Sequence, residues 1–205
     1  MTDNFCYDDF VQKIEVSRET YHRLENYIAL LKKWQGKINL ISDSTVSDIW
    51  KRHIMDSGQL MKYLSESDKI IDIGSGAGFP GMVLAVLGIK NMTLVESDTR
   101  KAAFLREAAR VAGVEINIIN QRIESIAHQD INVITARGFA SIDKMFSMIA
   151  HIVNISIKLL LLKGKSYLEE VEEAKRNWSF DYQTYPSITG DGAVIILNNV
   201  SKREG

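Results

Sequence analysis

The chain has 205 residues, and its 25 Lys and Arg against 26 Asp and Glu give a formal net charge of −1. Its hydrophobic share of 45% excludes a disordered chain, and the balanced charge argues against a broad, non-specific nucleic-acid binder. The single cysteine, Cys6, excludes an intramolecular disulfide and a cysteine-rich zinc site, so we expect a reducing cytoplasm and no metal. We also expect no secretory signal and no membrane span, since every apolar run falls short of roughly 18 residues.

The first third of the chain has the apolar spacing of helices. One face of the first predicted helix consists of Tyr21, Leu24, Ile28, Leu31 and Trp34. Ser17 can cap this helix and Gly36 can end it. A second helix is predicted over residues 44–63. We therefore expect an N-terminal helical extension over residues 1–67.

After residue 67, short apolar runs alternate with helical patterns. The predicted strands are 69–73, 92–96, 115–119, 131–135, 157–162, 180–185 and 193–198, and the predicted helices are 80–87, 99–112, 141–153 and 166–177. This alternation is typical of a doubly wound α/β domain with a mostly parallel sheet of about seven strands. The last two strands are joined by only a turn, so we expect them to form a hairpin at the sheet edge.

A glycine loop follows the first predicted strand, with Gly74, Gly76 and Gly78 at every second position. Such a loop lets a ligand approach the backbone at the edge of an α/β sheet. Counted from Gly74, the third glycine of the dinucleotide fingerprint is replaced by Phe79, and the lysine of a P-loop is missing. Asp72, beside the loop, would repel a pyrophosphate and suits a ligand with a cationic end.

Glu96 ends the second predicted strand, where a carboxylate can accept both ribose hydroxyls of an adenosine. An ammonium near Asp72 and a ribose near Glu96 together indicate S-adenosylmethionine (SAM). The sequence thus predicts a Rossmann-like SAM-methyltransferase domain over residues 68–205. The alternative is a tight turn whose glycines only permit a helix to pack on a strand.

The loops after the third and fourth strands should complete the pocket. Ile123 could pack on the adenine, with Glu124 beside it, although Arg122 and Glu124 could simply form an exposed ion pair. Arg137 follows the fourth strand, where the methyl group should face its acceptor. The alternative for Arg137 is a structural arginine paired with a nearby carboxylate.

The acceptor side has neither the Asn/Asp-Pro-Pro-aromatic motif of amine methylation nor a cysteine for covalent attack on a pyrimidine. The remaining candidate acceptors are groups with a ready lone pair, such as a purine ring nitrogen, and hydroxyl groups. Phe139 could stack on a base, or it could be a core aromatic. His53, Asp56 and Ser57 lie within one helical segment without a nucleophile elbow, so we expect no hydrolase.

Basic residues cluster locally despite the neutral total. If they converge on one rim, they would form a phosphate-binding surface, and the alternative is ordinary solvated faces. The predicted RNA-binding residues are Arg52, His53, Arg100, Lys101, Lys163 and Lys165.

Several segments together resemble the bacterial small-subunit rRNA guanine-N7 methyltransferases, also called the glucose-inhibited division protein B or RsmG family. The resemblance covers roughly residues 20–165, and its most specific part is Arg52-His53-Ile54-x-Asp56-Ser57. The other matching segments are Ile38-Asn39-Leu40-Ile41, Asp72 to Gly81, Leu94-Val95-Glu96, Arg100-Lys101, Thr135-Ala136-Arg137 and Leu162-Lys163-Gly164.

The resemblance implies SAM-dependent methyl transfer to N7 of one guanine in the decoding-region loop of 16S rRNA. It implies SAM contacts from Gly74, Phe79, the pair Ile123 and Glu124, and Arg137. From its position after the fourth strand, we also expect Arg137 to be the catalytic residue. The expected partner is 16S rRNA or the small ribosomal subunit, and the expected state is a monomer. Ile123 departs from the family, in which an alanine is usual.

Two rival functions remain open from the sequence. One is a SAM-dependent methyltransferase that modifies a small molecule or a protein. The other is an NAD-binding oxidoreductase or a non-catalytic nucleotide-binding protein.

Overall fold

A computed structural model of the protein describes residues 7–127, 130–190 and 192–203, so Cys6 and His128 lie outside the described residues. Within these ranges, seven strands form one sheet in the order β3-β2-β1-β4-β5-β7-β6. The strands are β1 Lys69–Ile73, β2 Asn91–Val95, β3 Asn117–Ile119, β4 Val133–Arg137, β5 Lys158–Lys163, β6 Trp178–Pro186 and β7 Ala193–Lys202. The α-helices are α1 Tyr7–Val11, α2 Arg18–Gln35, α3 Asp56–Gly58, α4 Gly81–Val86, α5 Thr99–Ala112, α6 Ile142–Ile149 and α7 Tyr167–Ala174.

The strand order confirms the predicted doubly wound sheet. β1 pairs in parallel with β2 on one side and with β4 on the other. The chain runs outward from β1 through β2 to β3 and then crosses back to β4 on the other side of β1, so the strand order reverses there. This arrangement opens a crevice at the carboxyl ends of β1 and β4, which is the usual ligand site of such sheets. The predicted hairpin is also confirmed, because β7 pairs antiparallel with both β5 and β6.

Helix α2 attaches the N-terminal segment to the sheet. The Ser17 hydroxyl accepts a hydrogen bond from the Thr20 amide at 3.1 Å, which caps the helix as predicted. The helix buries Leu24, Tyr27, Ile28 and Leu31, all of which belong to the same hydrophobic cluster as Phe104 of α5. The N-terminal segment and the sheet therefore share one core, and a domain boundary at residue 67 stays a prediction.

The prediction of one continuous helix over residues 44–63 is wrong. This stretch consists of a 3₁₀ segment Asp43–Asp48, a π-helical turn Trp50–Met55, the short α3 and a second 3₁₀ segment Gln59–Tyr63. The Thr45 hydroxyl donates to the Ser42 carbonyl at 2.8 Å, and such local side-chain bonds compete with regular helix geometry. The wider π turn carries Arg52 and His53, and π turns of this kind are frequent at functional sites.

The described ranges contain neither a metal-binding cluster nor a membrane-spanning helix. No group of three or more His, Cys, Asp or Glu residues there is arranged to hold a metal ion. In the same ranges, no helix is both long enough and apolar enough to cross a bilayer.

Candidate functional site

The glycine loop connects β1 to α4 with a backbone that other residues would strain. Gly74, Gly76 and Gly78 have φ angles of +63°, +56° and +96°, in the region that favours glycine. A Cβ at Gly78 would lie 2.8 Å from Cβ of Met82, so this position has no room for a side chain. The Ser75 amide donates to the Val95 carbonyl at 3.1 Å, which fastens the loop to the end of β2.

Gly81 is a site residue that the sequence interpretation missed. A Cβ there would lie 2.3 Å from Cδ2 of Leu94 and 2.8 Å from Cβ of Asp72, so glycine lets α4 rest directly on the sheet. Counted from Gly76, the glycines at 76, 78 and 81 do have the Gly-x-Gly-x-x-Gly spacing. Phe79 therefore does not exclude a dinucleotide fingerprint, contrary to the prediction, and the groups around the loop must identify the ligand.

Glu96 is buried beside the loop at the end of β2. Its Oε2 accepts the Gly76 amide at 2.8 Å, and its Oε1 accepts the Asp98 amide at 2.7 Å. Each carboxylate oxygen has a second lone pair, which can accept a ribose hydroxyl. A Cβ added at Gly76 would lie 3.8 Å from its nearest neighbour, the Gly74 carbonyl oxygen, so the backbone there is open to a ligand. These residues fit the adenosine of SAM.

Asp72 is fully buried under the loop. The Thr135 hydroxyl donates to its Oδ1 at 2.8 Å, and its Oδ2 faces the backbone of Gly81 without a hydrogen bond of ordinary geometry. Burial raises the pKa of Asp72 to about 6, and the hydrogen bonds from Thr135 and from neighbouring groups limit the rise. The carboxylate has no exposed surface, and its direct contact with a ligand ammonium stays a prediction.

The adenine side of the site contains Ile123 and Glu124. Ile123 is buried in the hydrophobic cluster on one face of the sheet, and Glu124 forms an exposed ion pair with Arg122 at 3.6 Å. Their ligand contacts stay predictions. Asn120 was missed by the sequence interpretation, because its role depends on a contact across strands. Its amide donates to the Glu96 carbonyl at 2.8 Å and joins the ends of β2 and β3.

Arg137 lies at the carboxyl end of β4, between the glycine loop and the π-helical turn. Its Nη1 donates to the Arg52 carbonyl at 3.0 Å, and its Nη2 lies 2.5 Å from Nδ1 of His53. Its Nη1 is also 3.8 Å from Oδ2 of Asp56, and the guanidinium lies over the Phe79 ring at 4.9 Å from the centroid. The carboxylate of the predicted structural alternative is therefore present. Arg137 also lies at the switch point of the sheet, because it ends β4, which pairs with β1.

His53 is held in one neutral tautomer. Arginine can only donate, so Nδ1 of His53 accepts from Arg137 and the proton is on Nε2. Nε2 lies 2.8 Å from the Thr45 hydroxyl. Burial, together with the charges of Arg137 and Arg52, lowers the pKa of His53 to about 3. Both ring nitrogens are occupied, so His53 is not available as a base.

A cleft of about 410 Å³ opens beside Arg137. Its walls are the π-helical turn, the end of β4, the end of β5 and the turn between β6 and β7. The lining residues include Arg52, His53, Asp56, Arg137, Lys163, Lys165, Ser187 and Thr189. Four of these side chains are cationic, and among the described lining residues only Asp56 is a carboxylate. The cleft therefore suits an anionic ligand.

The predicted RNA-binding residues separate into two groups. Arg52, His53, Lys163 and Lys165 all line the cleft, whereas Arg100 and Lys101 lie on α5, outside it. The ammonium of Lys163 is paired with Glu170 at 2.7 Å and also donates to the Ala140 carbonyl. A structural role for Lys163, holding the loop after β4, therefore competes with the predicted phosphate contact.

Phe139 packs against the glycine loop. A Cβ at Gly74 would lie 2.2 Å from Cδ2 of Phe139, so the ring covers the space that a side chain at residue 74 would need. Phe139 is also packed against the hydrophobic cluster on the same face as Ile123. Phe139 therefore has the packed position that the alternative predicts, and its stacking on a base stays a prediction.

Comparisons with known proteins identify relatives over nearly the whole chain. The family model described as GidB, rRNA small subunit methyltransferase G, matches residues 20–194. The Ribosomal RNA small subunit methyltransferase G of Rickettsia prowazekii (strain Madrid E) is 48% identical over an alignment of 193 residues that covers 92% of this chain and 99% of the relative. The protein of the same name from Rickettsia felis is 44% identical over an alignment of 191 residues that covers 92% of this chain and 98% of the relative.

Solved structures with the same fold are more distant in sequence. A mutant of MtNAS in complex with S-adenosylmethionine has a TM-score of 0.63 at 15% identity and matches 97% of this chain and 86% of its own. The ribosomal protein L11 methylase from Lactobacillus delbrueckii subsp. bulgaricus has a TM-score of 0.57 at 12% identity, over 80% and 81% of the two chains. At these identities the likeness concerns the fold alone.

Proposed function

The chain belongs to the GidB family, rRNA small subunit methyltransferase G, and from this premise we propose that it transfers the methyl group of SAM to N7 of one guanine in the decoding-region loop of 16S rRNA. SAM supplies an electrophilic methyl group on a sulfonium. The work of the protein is then to align this methyl group with the acceptor nitrogen, because displacement in line needs close approach and orientation.

We infer the acceptor from the groups around Arg137, because in the described part of the chain none of them is available as a base. His53 stays neutral and uses both ring nitrogens, Lys163 is paired with Glu170, and Asp56 faces Arg137. A guanine N7 has a ready lone pair and loses no proton when it is methylated. A hydroxyl acceptor, in contrast, would have to be deprotonated.

We assign the cofactor to the crevice between β1 and β4. The proposed cofactor-binding residues are Asp72, Gly74, Gly76, Gly78, Phe79, Glu96, Ile123, Glu124 and Arg137. The support is the open backbone at Gly76 and the lone pairs of Glu96, and the Asp72 side chain is buried beside the loop, where it is held by Thr135 of β4.

We assign the acceptor nucleotide to the cationic cleft. Arg137 stands between this cleft and the glycine loop, and its N–H groups beyond those used by Arg52 and His53 can donate to the base or a phosphate. Arg52 and Lys165 are the proposed phosphate contacts. We further infer that the protein acts in the cytoplasm, where the small ribosomal subunit is found, and as a monomer, because one chain forms all the walls described.

The test is methyl transfer from labelled SAM to small ribosomal subunits and to naked 16S rRNA from a strain without a family member. We expect label in 16S rRNA at one guanine, which borohydride and aniline cleavage would map because N7-methylguanine is sensitive to this treatment. Label in protein or in a small molecule, with none in 16S rRNA, would refute the proposal and favour the first rival. Calorimetric binding of NADH without binding of SAM would favour the second.

A further inference from the structure

The Asp56 carboxylate connects three elements that are far apart in the sequence. Its Oδ1 accepts hydrogen bonds from the hydroxyls of Ser187 and Thr189, each at 2.9 Å, and from the Gln59 amide at 2.8 Å. Its Oδ2 lies 3.8 Å from Nη1 of Arg137. One carboxylate thereby links the helical extension, the turn between β6 and β7, and the end of β4.

Gln59 makes a second connection to the same turn. Its amide donates to the Asp56 carbonyl at 2.9 Å and to the Ser187 hydroxyl at 3.2 Å, and its Oε1 accepts the Ile188 amide at 3.1 Å. Gln59 and Thr189 are both buried. A hydrogen-bonded network in such surroundings has few alternatives, because an unsatisfied buried group would be costly.

The turn held by this network is one wall of the cleft. Residues 187, 189, 190, 192 and 193 all line it. A Cβ at Gly192 would lie 2.4 Å from the Lys163 carbonyl, and a Cβ at Gly190 would lie 3.4 Å from Nη1 of Arg52. The turn therefore packs on the backbone at the end of β5 and also approaches the guanidinium of Arg52.

The charge of Asp56 would be unfavourable in a cleft for RNA if it faced the ligand. Its side chain is only 16% exposed, and each of its oxygens faces a donor or cation of the protein. The negative charge is thus directed toward Ser187, Thr189 and Arg137, and the opening of the cleft keeps its cationic character.

We propose that Asp56 is a positioning residue that sets the β6–β7 turn and Arg137 at a fixed distance and so shapes the cleft for the target nucleotide. The turn forms the wall beside Arg52, one of the proposed phosphate contacts, and the contact with Arg137 orients the guanidinium for methyl transfer. This inference rests on the proposed function. It adds a segment near the C-terminal end of the chain to the substrate site.

The first test separates the two oxygens of Asp56. Asp56→Asn keeps an oxygen that can accept from Ser187 and Thr189, but it presents an amide donor to Arg137. We expect kcat for 16S rRNA to fall about tenfold with KM little changed, as for the loss of one charge-assisted contact.

The second test removes the turn contacts and leaves Asp56 in place. In Ser187→Ala/Thr189→Val we expect KM for RNA to rise about tenfold with kcat little changed, since the hydrogen bonds of both hydroxyls to Asp56 and the one from Gln59 to Ser187 are lost. The matched control is Thr184→Val/Ser201→Ala, which makes the same changes on the strands of the hairpin. SAM affinity, measured by calorimetry, should equal that of the unaltered protein in all three variants.

The outcomes distinguish this inference from the proposed function. If the unaltered protein methylates 16S rRNA and the first two variants have unaltered kcat and KM, the positioning role is refuted and the function stands. A parallel loss of SAM affinity, kcat and melting temperature would also refute it, because Asp56 would then only support the fold. If the unaltered protein does not methylate 16S rRNA, the proposed function itself fails.

Discussion

Replacing Arg137 by alanine removes the group that lies between the proposed cofactor crevice and the proposed acceptor cleft. The variant loses hydrogen bonds to the Arg52 carbonyl and to Nδ1 of His53, and it loses the cation over the Phe79 ring. A charge-assisted hydrogen bond to the acceptor in a buried site is worth roughly 1.5–3 kcal/mol, so we expect the rate to fall by about 10- to 200-fold. Leaving Nδ1 of His53 buried without a donor adds a stability cost of about 1–3 kcal/mol.

Arg110→Ala is the matched control, because Arg110 is also an arginine in an ion pair. It pairs with Glu107 of the same helix at 2.6 Å, and its side chain is 71% exposed. Its loss should leave activity within experimental error. The assay is the initial rate of methyl transfer from labelled SAM to 16S rRNA, with folding checked by circular dichroism. Equal rates for the two variants would remove Arg137 from the site.

Three further predictions concern the supporting residues. Gly81→Ala should lower the free energy of unfolding by about 1–3 kcal/mol through overpacking. Gly36→Ala is the control and should leave the free energy of unfolding unchanged, because nothing lies within 4 Å of the added Cβ. Equal melting temperatures of the two variants would contradict this prediction. The pKa of His53 in the folded protein is about 3, below its ordinary value of 6.5, so the contribution of His53 to folding stability is present above about pH 6.5 and is lost as the pH falls. An NMR titration of His53 with its midpoint near pH 6.5 would refute its burial. The pKa of Asp72 in the folded protein is about 6, above its ordinary value of 3.8, so Asp72 favours the folded state below pH 3.8 and this advantage is lost as the pH rises through 6. Asp72→Asn should remove this pH dependence of the free energy of unfolding in urea, and an unchanged dependence would exclude the raised pKa.

Where neighbouring residues determined an element, the sequence predicted it closely. The helix over residues 99–112 has its predicted bounds, because Asp98 caps it and Gly113 ends it with a φ of +66°. β1 was also predicted with its observed bounds, since five residues between polar and glycine neighbours leave few alternatives.

Features that depend on distant residues were not predictable. Lys163 resembles part of a basic cluster in the sequence, yet its side chain is 10% exposed and paired with Glu170 of α7. The turn after β6 carries no motif. Its place at the cleft depends on hydrogen bonds to Asp56, 131 residues before Ser187, and to Gln59. Local patterns therefore predicted the cofactor crevice better than they predicted the acceptor side.

The link between Asp56 and the β6–β7 turn has a consequence for synthesis of the chain on the ribosome. The groups that form the cofactor crevice, from the glycine loop to Arg137, emerge well before Ser187 and Thr189, which close the acceptor cleft. The chain emerges from its N-terminus, and a domain generally folds as a unit. The nascent protein thus receives the wall of its proposed RNA-binding cleft last, so a chain released before the final hairpin would lack this wall.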